Sequence, residues 1–324
     1  IEVDDTFNAA GADTNTGFRR RQAGFRADWD LGGYGLRVSG DAYHGRLGQT
    51  GTRDISISGA NLTTALETRL AGGSDLHIGL ILDHTERSQP RAFAERLDTV
   101  DLSLQHNVRL GERHRLSWGG GYRNSADRVE NGPAFGFLPG EVRLHWANLF
   151  AQDEIALAPT LKATLGLKLE RNHYTGMEHL PNLRLAWTPG ARHLVWGSLA
   201  RTVRAPSRID RDLYSPTRPP VADGVPQFVI AGGPDFASEV VKVAELGYRS
   251  QMTDTFSYSV TAYHGDYDRL RTLEPRARGG SVFSNLASGE NKGVEMWADW
   301  QAAPGLRLAG GAVIQRVRTA IDPD

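Results

Sequence analysis

The feature that most constrains this chain is a strict two-residue period. In LKATLGLKLE, Leu161, Ala163, Leu165, Leu167 and Leu169 share one parity, while Lys162, Thr164, Gly166, Lys168 and Glu170 share the other. At about 100° per residue those leucines would scatter around a helix; at about 180° they form one face of a strand. The pattern recurs. Leu36, Val38, Gly40 and Ala42 alternate with Arg37, Ser39 and Asp41, and Leu76, Ile78, Leu80 and Leu82 with Asp75, His77 and Asp83. Leu116, Trp118, Gly120 and Tyr122 alternate with Ser117 and Arg123, Phe256, Tyr258, Val260 and Ala262 with Ser257, Ser259 and Thr261, and Val294, Met296, Ala298 and Trp300 with Glu295 and Asp299. Keeping the parity puts His106 and Asp153 on the apolar face, which a bulge or a position near a membrane interface would accommodate.

The connections sort into two kinds. Tight turn signals lie at Leu31 to Gly33, Ala71 to Ser74, Gly111 to Arg113, Ala158 to Thr160, Pro189 to Arg192, Gln251 to Asp254 and Ala303 to Gly305. Long polar stretches lie between them, at about Arg46 to Asp54, Glu86 to Arg96, Asn124 to Glu141, Asn172 to Leu180, Arg204 to Ser238 and Asp268 to Glu290. A hairpin at each tight turn implies about 14 strands, with short turns at one end and long loops at the other. A soluble sandwich also alternates, but its strands are shorter and its loops do not sort by end. Strands of roughly ten to twelve residues with one-sided long loops describe an all-β, antiparallel transmembrane barrel: the apolar parity meets lipid and the charged parity a wet lumen. Trp29, Tyr34, Trp187, Tyr248 and Trp300 lie near short turns, where amphipathic rings would sit at headgroup level.

Composition removes other classes. The longest apolar stretch, LHIGLIL from Leu76 to Leu82, contains His77 and falls far short of the roughly 20 residues a membrane helix needs. The chain has no cysteine, so disulfide scaffolds, thiolate metal sites and cysteine nucleophiles are out. With 37 Lys+Arg against 38 Asp+Glu the net charge is −1, and nothing advertises nucleic acid as a bulk partner. Glycine, 37 of 324 residues, is enriched without a collagen period, as tight turns and small-residue strand positions such as Gly119 to Gly121 require. The opening IEVDDTFNAAGADTNTG is polar and lacks an initiating Met, which reads as a mature product or an excised piece.

Several segments, in order, resemble the C-terminal half of the barrel of TonB-dependent outer-membrane receptors. WGSLARTVRAPSRIDRDL carries an aromatic-x-Ser-x-x-Arg-x-x-Arg-x-Pro-Ser pattern at Trp196, Ser198, Arg201, Arg204, Pro206 and Ser207. Glu245 to Arg249 match its Glu-Leu-Gly-Tyr-Arg strand, and Asn285, Leu286, Gly293, Val294 and Glu295 its later Asn-Leu and Gly-Val-Glu; Phe150 to Leu157 is similar as well. Before about residue 140 the fit is by period and turn pattern alone. The resemblance implies an active transporter of the Gram-negative outer membrane, not an enzyme. It implies a scarce, bulky ligand such as a ferric siderophore, haem or a cobalamin, surrounding outer-membrane lipid, and TonB as energising partner. It also implies a 22-stranded barrel with an N-terminal plug and an aromatic last residue. Residues 1–324 contain neither plug nor that ending, and are expected to be one partial barrel. A passive porin-like channel and a secreted β-rich binding protein share the periodicity; the family segments and the long Arg204 to Ser238 loop argue for the receptor.

No catalytic spacing is present: no Gly-x-Ser-x-Gly, no phosphate loop, no His-Glu-x-x-His. Asp266-Tyr267-Asp268 begins like a calcium loop but has Arg271 where glycine is required. His44, His84, His145, His173 and His264 would lie near long-loop ends without ligand spacing, so neither a metal site nor a resident cofactor is expected. The better candidate is the basic stretch from Arg201 to Pro220, with arginines at 201, 204, 208, 211 and 218 against Asp210 and Asp212. Guanidinium forks pair with carboxylate or phosphate oxygens, so Arg201, Arg204, Arg208, Arg211 and the neighbouring Tyr214 are candidate contacts for an anionic ferric chelate. The competing expectation is that Arg201 and Arg204 form ion pairs on the lumen side of the barrel wall and the rest is solvated loop.

Overall fold

The computed structural model describes residues 1–222, 225–277 and 279–321; the Arg218 side chain and Asp322 to Asp324 lie outside the described parts. Its first strands are β1 (Glu2–Val3), β2 (Phe18–Asp30), β3 (Tyr34–Leu47), β4 (Ile55–Arg69), β5 (Asp75–Gln89), β6 (Phe93–Leu110) and β7 (His114–Asn131). Then come β8 (Gly136–Phe137), β9 (Glu141–Ala158), β10 (Leu161–Asn172), β11 (Gly176–Gly190) and β12 (His193–Arg204). A five-residue helix α1 (Arg208–Asp212) precedes β13 (Leu213–Ala222), β14 (Val225–Ala231), β15 (Glu239–Gln251), β16 (Phe256–Pro275), β17 (Ser281–Ala303) and β18 (Leu306–Ile321).

Of these 18 strands, β1, β8, β13 and β14 sit in connections, which leaves the fourteen expected from the turns. Those fourteen form one antiparallel meander: β2 through β7, then β9 through β12, then β15 through β18. The result is a partial, open barrel wall, in which β18 pairs with β17 and is exposed at every residue. All seven tight turns fall where the turn chemistry places them; at one, Gly72 and Gly73 take φ of 87° and 80°, which residues with a Cβ rarely adopt.

Several long loops are corrected. β5 runs to Gln89 and β6 begins at Phe93; β10 reaches Asn172 and β11 begins at Gly176; β16 reaches Pro275 and β17 begins at Ser281. The stretches at 86–96, 172–180 and 268–290 are therefore mostly paired strand, and β7 likewise extends to Asn131 inside the expected 124–141 loop. The fourteen wall strands run from 12 residues, in β10 and β12, to 23 in β17, longer than the alternation alone predicted. The reason is physical: ladder hydrogen bonds need a partner strand, not an apolar face, so hairpins continue beyond the apolar band while their sequence turns polar.

Register keeps the two parities on opposite faces. A single row reads Leu165, Leu183, Leu199, Ala244, His264, Lys292 and Arg316 across seven strands of the apolar parity. That face is bare, with Leu149 68%, Leu246 62% and Leu199 55% exposed, as a lipid-facing surface should be. Trp29, Tyr34, Trp187 and Trp300 are each about half exposed, and with Tyr248 share that face near the short turns. No bulge accommodates His106 or Asp153, since β6, β7 and β9 pair without a shift. Both stay on the apolar face near the Gly111 to Arg113 turn. Asp153 Oδ2 lies 2.6 Å from His114 Nδ1, and the His106 ring stands edge-on to Trp118 at 5.4 Å. On the other face, a Cβ at Gly119 would lie 2.1 Å from the Leu104 carbonyl oxygen, and the Phe150 ring closes over the same spot.

Candidate functional site

The long-loop end of the wall is organised by charge. Between β12 and β15 the chain makes the short helix α1, opened by a capping box: the Ser207 side chain accepts from the Asp210 amide while the Asp210 carboxylate accepts from the Ser207 amide. Ser207-x-x-Asp210 is thus a local instruction to turn. What fixes the turn in place is non-local.

Asp210 is fully buried and serves as one hub. Its Oδ2 accepts from Arg204 Nη1 at 2.9 Å and from the Ser207 amide and hydroxyl at 2.9 Å each, and its Oδ1 accepts from Arg271 Nη1 at 3.2 Å. Arg204 also forks onto Glu239, donating from Nε at 2.6 Å and Nη2 at 2.9 Å, and the Arg271 amide donates to Glu239 at 2.9 Å. This hub therefore ties α1 to β12, β15 and β16. Burial pushes the Asp210 carboxyl upward, but the Arg204 guanidinium and the Ser207 donors outweigh it and hold it below the ordinary aspartate range. Arg204 does the same for Glu239.

Arg208 is the second hub and is 7% exposed. It donates to Asp127 of β7 at 2.9 Å and to Asp212 at 3.1 Å, and caps the carbonyls of Pro139 and Gly140. Its guanidinium also lies over the Phe137 ring at 4.5 Å. Asp212 in turn accepts from the Tyr174 hydroxyl at 2.7 Å; burial, and then that hydrogen bond, push the Tyr174 hydroxyl far above its usual range. The connections after β7, β10 and β12 are thereby bolted into one layer with the long-loop ends of β15 and β16. Thr175 and Ser238 hydroxyls join it at 2.8 Å, and Asn285 takes the Ala237 amide at 2.6 Å.

The sequence-selected residues fall in this layer, with unequal freedom. Arg201 reaches beyond the point where β11 and β12 part to Glu178 at 3.2 Å and the His179 carbonyl. Arg201, Arg204 and Arg208 thus each hold a carboxylate, but only Arg204 does so on the charged parity as expected; Arg201 stands on the apolar parity with Leu199, and Arg208 is buried rather than part of a solvated loop. Arg211 has no carboxylate partner among the described residues; it donates from Nη2 to the Tyr174 carbonyl at 2.8 Å, and its Nε is buried without an acceptor. The Tyr214 hydroxyl donates to the Gln227 carbonyl at 2.9 Å, and its ring packs edge-on to Phe228. Sequence reading missed Asp127, Tyr174, Glu239 and Arg271. Only Asp210 had a local signal, the capping-box spacing; Asp127 is 81 positions from its partner.

The histidines do not converge on a ligand chamber. His44, His84, His145 and His264 lie on the apolar parity at the upper edge of its band. His145 meets His173 edge-to-face at 5.0 Å, and His84 Nδ1 pairs with Asp98 at 2.6 Å. Among the described residues no group of three or more His, Cys, Asp or Glu is placed to hold a metal ion.

The match to known proteins is consistent along the chain. The model of TonB dependent receptor-like β-barrels matches residues 2–322, including the part before residue 140 where only period and turns pointed to it. The fold is similar to the siderophore receptor PirA of Pseudomonas aeruginosa, at TM-score 0.76 and 16% identity, covering 93% of this chain and 57% of that one. It is similar to the ferric enterobactin receptor PfeA of the same organism, at 0.76 and 15%, covering 97% and 55%. The alcaligin outer membrane receptor FauA of Bordetella pertussis gives 0.66 and 15%, covering 95% and 55%. The chain thus spans a little over half the length of each, and the likeness is one of fold. No curated protein matches the chain significantly in sequence.

Proposed function

From the premise that the chain belongs to the TonB-dependent receptor β-barrel family, we propose that it forms wall and outer layer of an active transporter in a Gram-negative outer membrane. Its ligand is a ferric siderophore, an anionic iron chelate bound at the long-loop end, and its release into the periplasm is driven by TonB. The observation that carries this reading is the pairing of a lipid-facing wall with an outer layer that is bolted down rather than left as mobile loops. A receptor must hold a shaped surface above its barrel to select one bulky solute; a passive pore has no such need.

Within that layer the candidate residues divide by role. Arg201, Arg204 and Arg208 position the outer segment through carboxylates they already hold. Arg211, with no carboxylate of its own, and Tyr214 beside it are the contacts for the anionic chelate. Uptake of iron-55 chelates by cells carrying the protein tests the proposal. Uptake of an anionic siderophore should stop when TonB is deleted or the inner-membrane proton gradient is collapsed. Entry at an unchanged rate would make the protein a passive channel.

A further inference from the structure

The histidines differ in what they face. His77, His84, His114 and His264 each stand beside a carboxylate, at 3.7, 2.6, 2.6 and 3.2 Å. His145 and His173 have each other instead. One step beyond Asn172 and Trp146, the last pair of the β9–β10 ladder, their rings meet edge-to-face with centroids 5.0 Å apart. Neither ring makes a hydrogen bond or an ion pair among the described residues. The His173 ring also stands edge-on to Tyr174 at 5.0 Å, and the Arg211 guanidinium lies over the Tyr174 ring at 5.5 Å. Arg211, Tyr174, His173 and His145 therefore form one continuous row of flat groups, with the carboxylate-free arginine at its end.

Electrostatics along the row favour the uncharged imidazole. Facing His173 are His145 from β9, Tyr174 in its own turn, and Asp212 and Arg211 from α1, while Arg171 and Arg143 flank the pair on the same parity. Burial, then the charges of His145 and Arg211, hold the His173 imidazole below its ordinary range, and Asp212 pulls the other way. An anion seated on Arg211 changes this balance. It cancels the repulsion of the guanidinium while Asp212 keeps pulling, so the imidazole gains affinity for a proton. Linkage makes the effect mutual: a proton on His173 raises the affinity for the anion by the same factor. Two imidazoles 5.0 Å apart repel once both are charged, so the pair accepts one proton well before a second.

We propose that the outer layer takes up its anionic chelate together with a proton, the anion on Arg211 and the proton on the His145–His173 pair. The inference rests on the reading of Arg211 as the anion contact and adds a preference to it: a chelate that keeps its negative charge in mild acid is bound best there. The sign follows from the lowered His173 value. Without the anion, His173 is uncharged near neutral pH; with it, the proton is held around the ordinary histidine value of about 6.5, so affinity climbs as pH falls through that range. The window lies above the one in which Asp210 and Glu239 lose their charge, so the layer itself stays in place.

The test is binding of an iron-55 tris-hydroxamate chelate bearing sulfonates, whose negative charge is fixed across the range, to outer membranes carrying the full receptor. Affinity should be about fivefold or more tighter at about pH 5.5 than at about pH 7.5. His173→Gln should bind equally at both, and His145→Gln should move the rise to higher pH, because the remaining imidazole has lost its like-charged neighbour. His193→Gln, at the short-turn end, should keep the parent's profile. Affinity that is flat or falls in acid overturns the proposal, as does a rise that persists in His173→Gln or is matched by the sulfonate-free, neutral chelate. A preference for the anionic chelate that Arg211→Ala abolishes, beside a flat parent profile, overturns the proton coupling alone; a preference that Arg211→Ala leaves intact overturns the underlying reading as well. A measurement without chelate guards against a probe that does not fit: the His173 midpoint, followed by NMR of carbon-13-labelled histidine, should rise in Arg211→Ala, and an unchanged midpoint overturns the coupling.

Discussion

The ion pairs of the outer layer and those of the wall use the same side chains in different surroundings. In the layer, Asp210 is fully buried, and Arg208 and Asp127 show side-chain exposures of only 7% and 6%. On the wall's charged face, Lys162 and Glu154 pair at 3.0 Å with exposures of 48% and 35%, and Arg37 and Asp28 at 2.9 Å with 49% and 51%. A half-exposed pair exchanges water for a partner at little net gain, so it can be lost without consequence. A buried pair gains no more overall, since desolvation offsets attraction, but removing one member strands the other. The wall pairs therefore make a wet surface tolerable, whereas the layer pairs decide where a segment of more than thirty residues sits.

That contrast breaks most visibly at Arg208. Arg208→Ala leaves Asp127 and Asp212 without their common cation and should cost the outer layer about 3 to 5 kcal/mol, read as rapid proteolysis between 204 and 238 while the wall stays intact. Arg208→Lys should rescue little, because a point charge cannot serve two carboxylates and two carbonyls at once. An outer segment as resistant as the parent would show that the layer is held by something else.

Acid should separate the two regions next. Asp210 and Glu239 have folded pKa values below their ordinary ones, so the stability they contribute is fully present above about pH 4.5 and is lost as pH falls through the depressed folded values. Hydrogen exchange in the outer segment should quicken below about pH 4 while the wall ladder is unchanged; loosening that begins as pH rises would have the wrong sign. A smaller effect is expected at Arg211. Arg211→Ala should weaken an anionic ferric chelate about tenfold, one charge-assisted contact, and leave a neutral one unaffected; equal affinity for both would remove Arg211 from the binding surface. Least of all, Lys162→Ala should shift unfolding by less than about 1 kcal/mol, and a larger loss would mean that the wall pairs are structural after all.

Legibility in the sequence follows the same division. The wall could be read because each residue's face is set by its own parity: Leu165 and Lys168 declare their sides without reference to any distant residue, and the tight turns count the strands. The polar hairpin ends are not legible in this way, because 86–96 or 268–290 carry no apolar period once above the band, although their backbones stay paired. The outer layer was legible only as a surplus of arginine. Which carboxylate each arginine meets depends on distant strand ends and connections converging, and of Asp127, Asp210, Glu239 and Arg271 only Asp210 carries a local mark. The family segments pointed to the right region through Arg201, Arg204 and Ser207, but the period alone says nothing of what those residues touch.

The central claim is that one parity of the wall meets lipid and the other water, and the absence of native cysteine allows it to be tested residue by residue. Single cysteines placed from 162 to 169 along β10, with the protein in membranes, should alternate. Cysteines at 163, 165, 167 and 169 should be shielded from a charged, membrane-impermeant maleimide and quenched by lipid-borne nitroxide, and those at 162, 164, 166 and 168 should react with the maleimide and escape the quencher. Uniform labelling along β10, or an alternation of the opposite phase, would contradict the account.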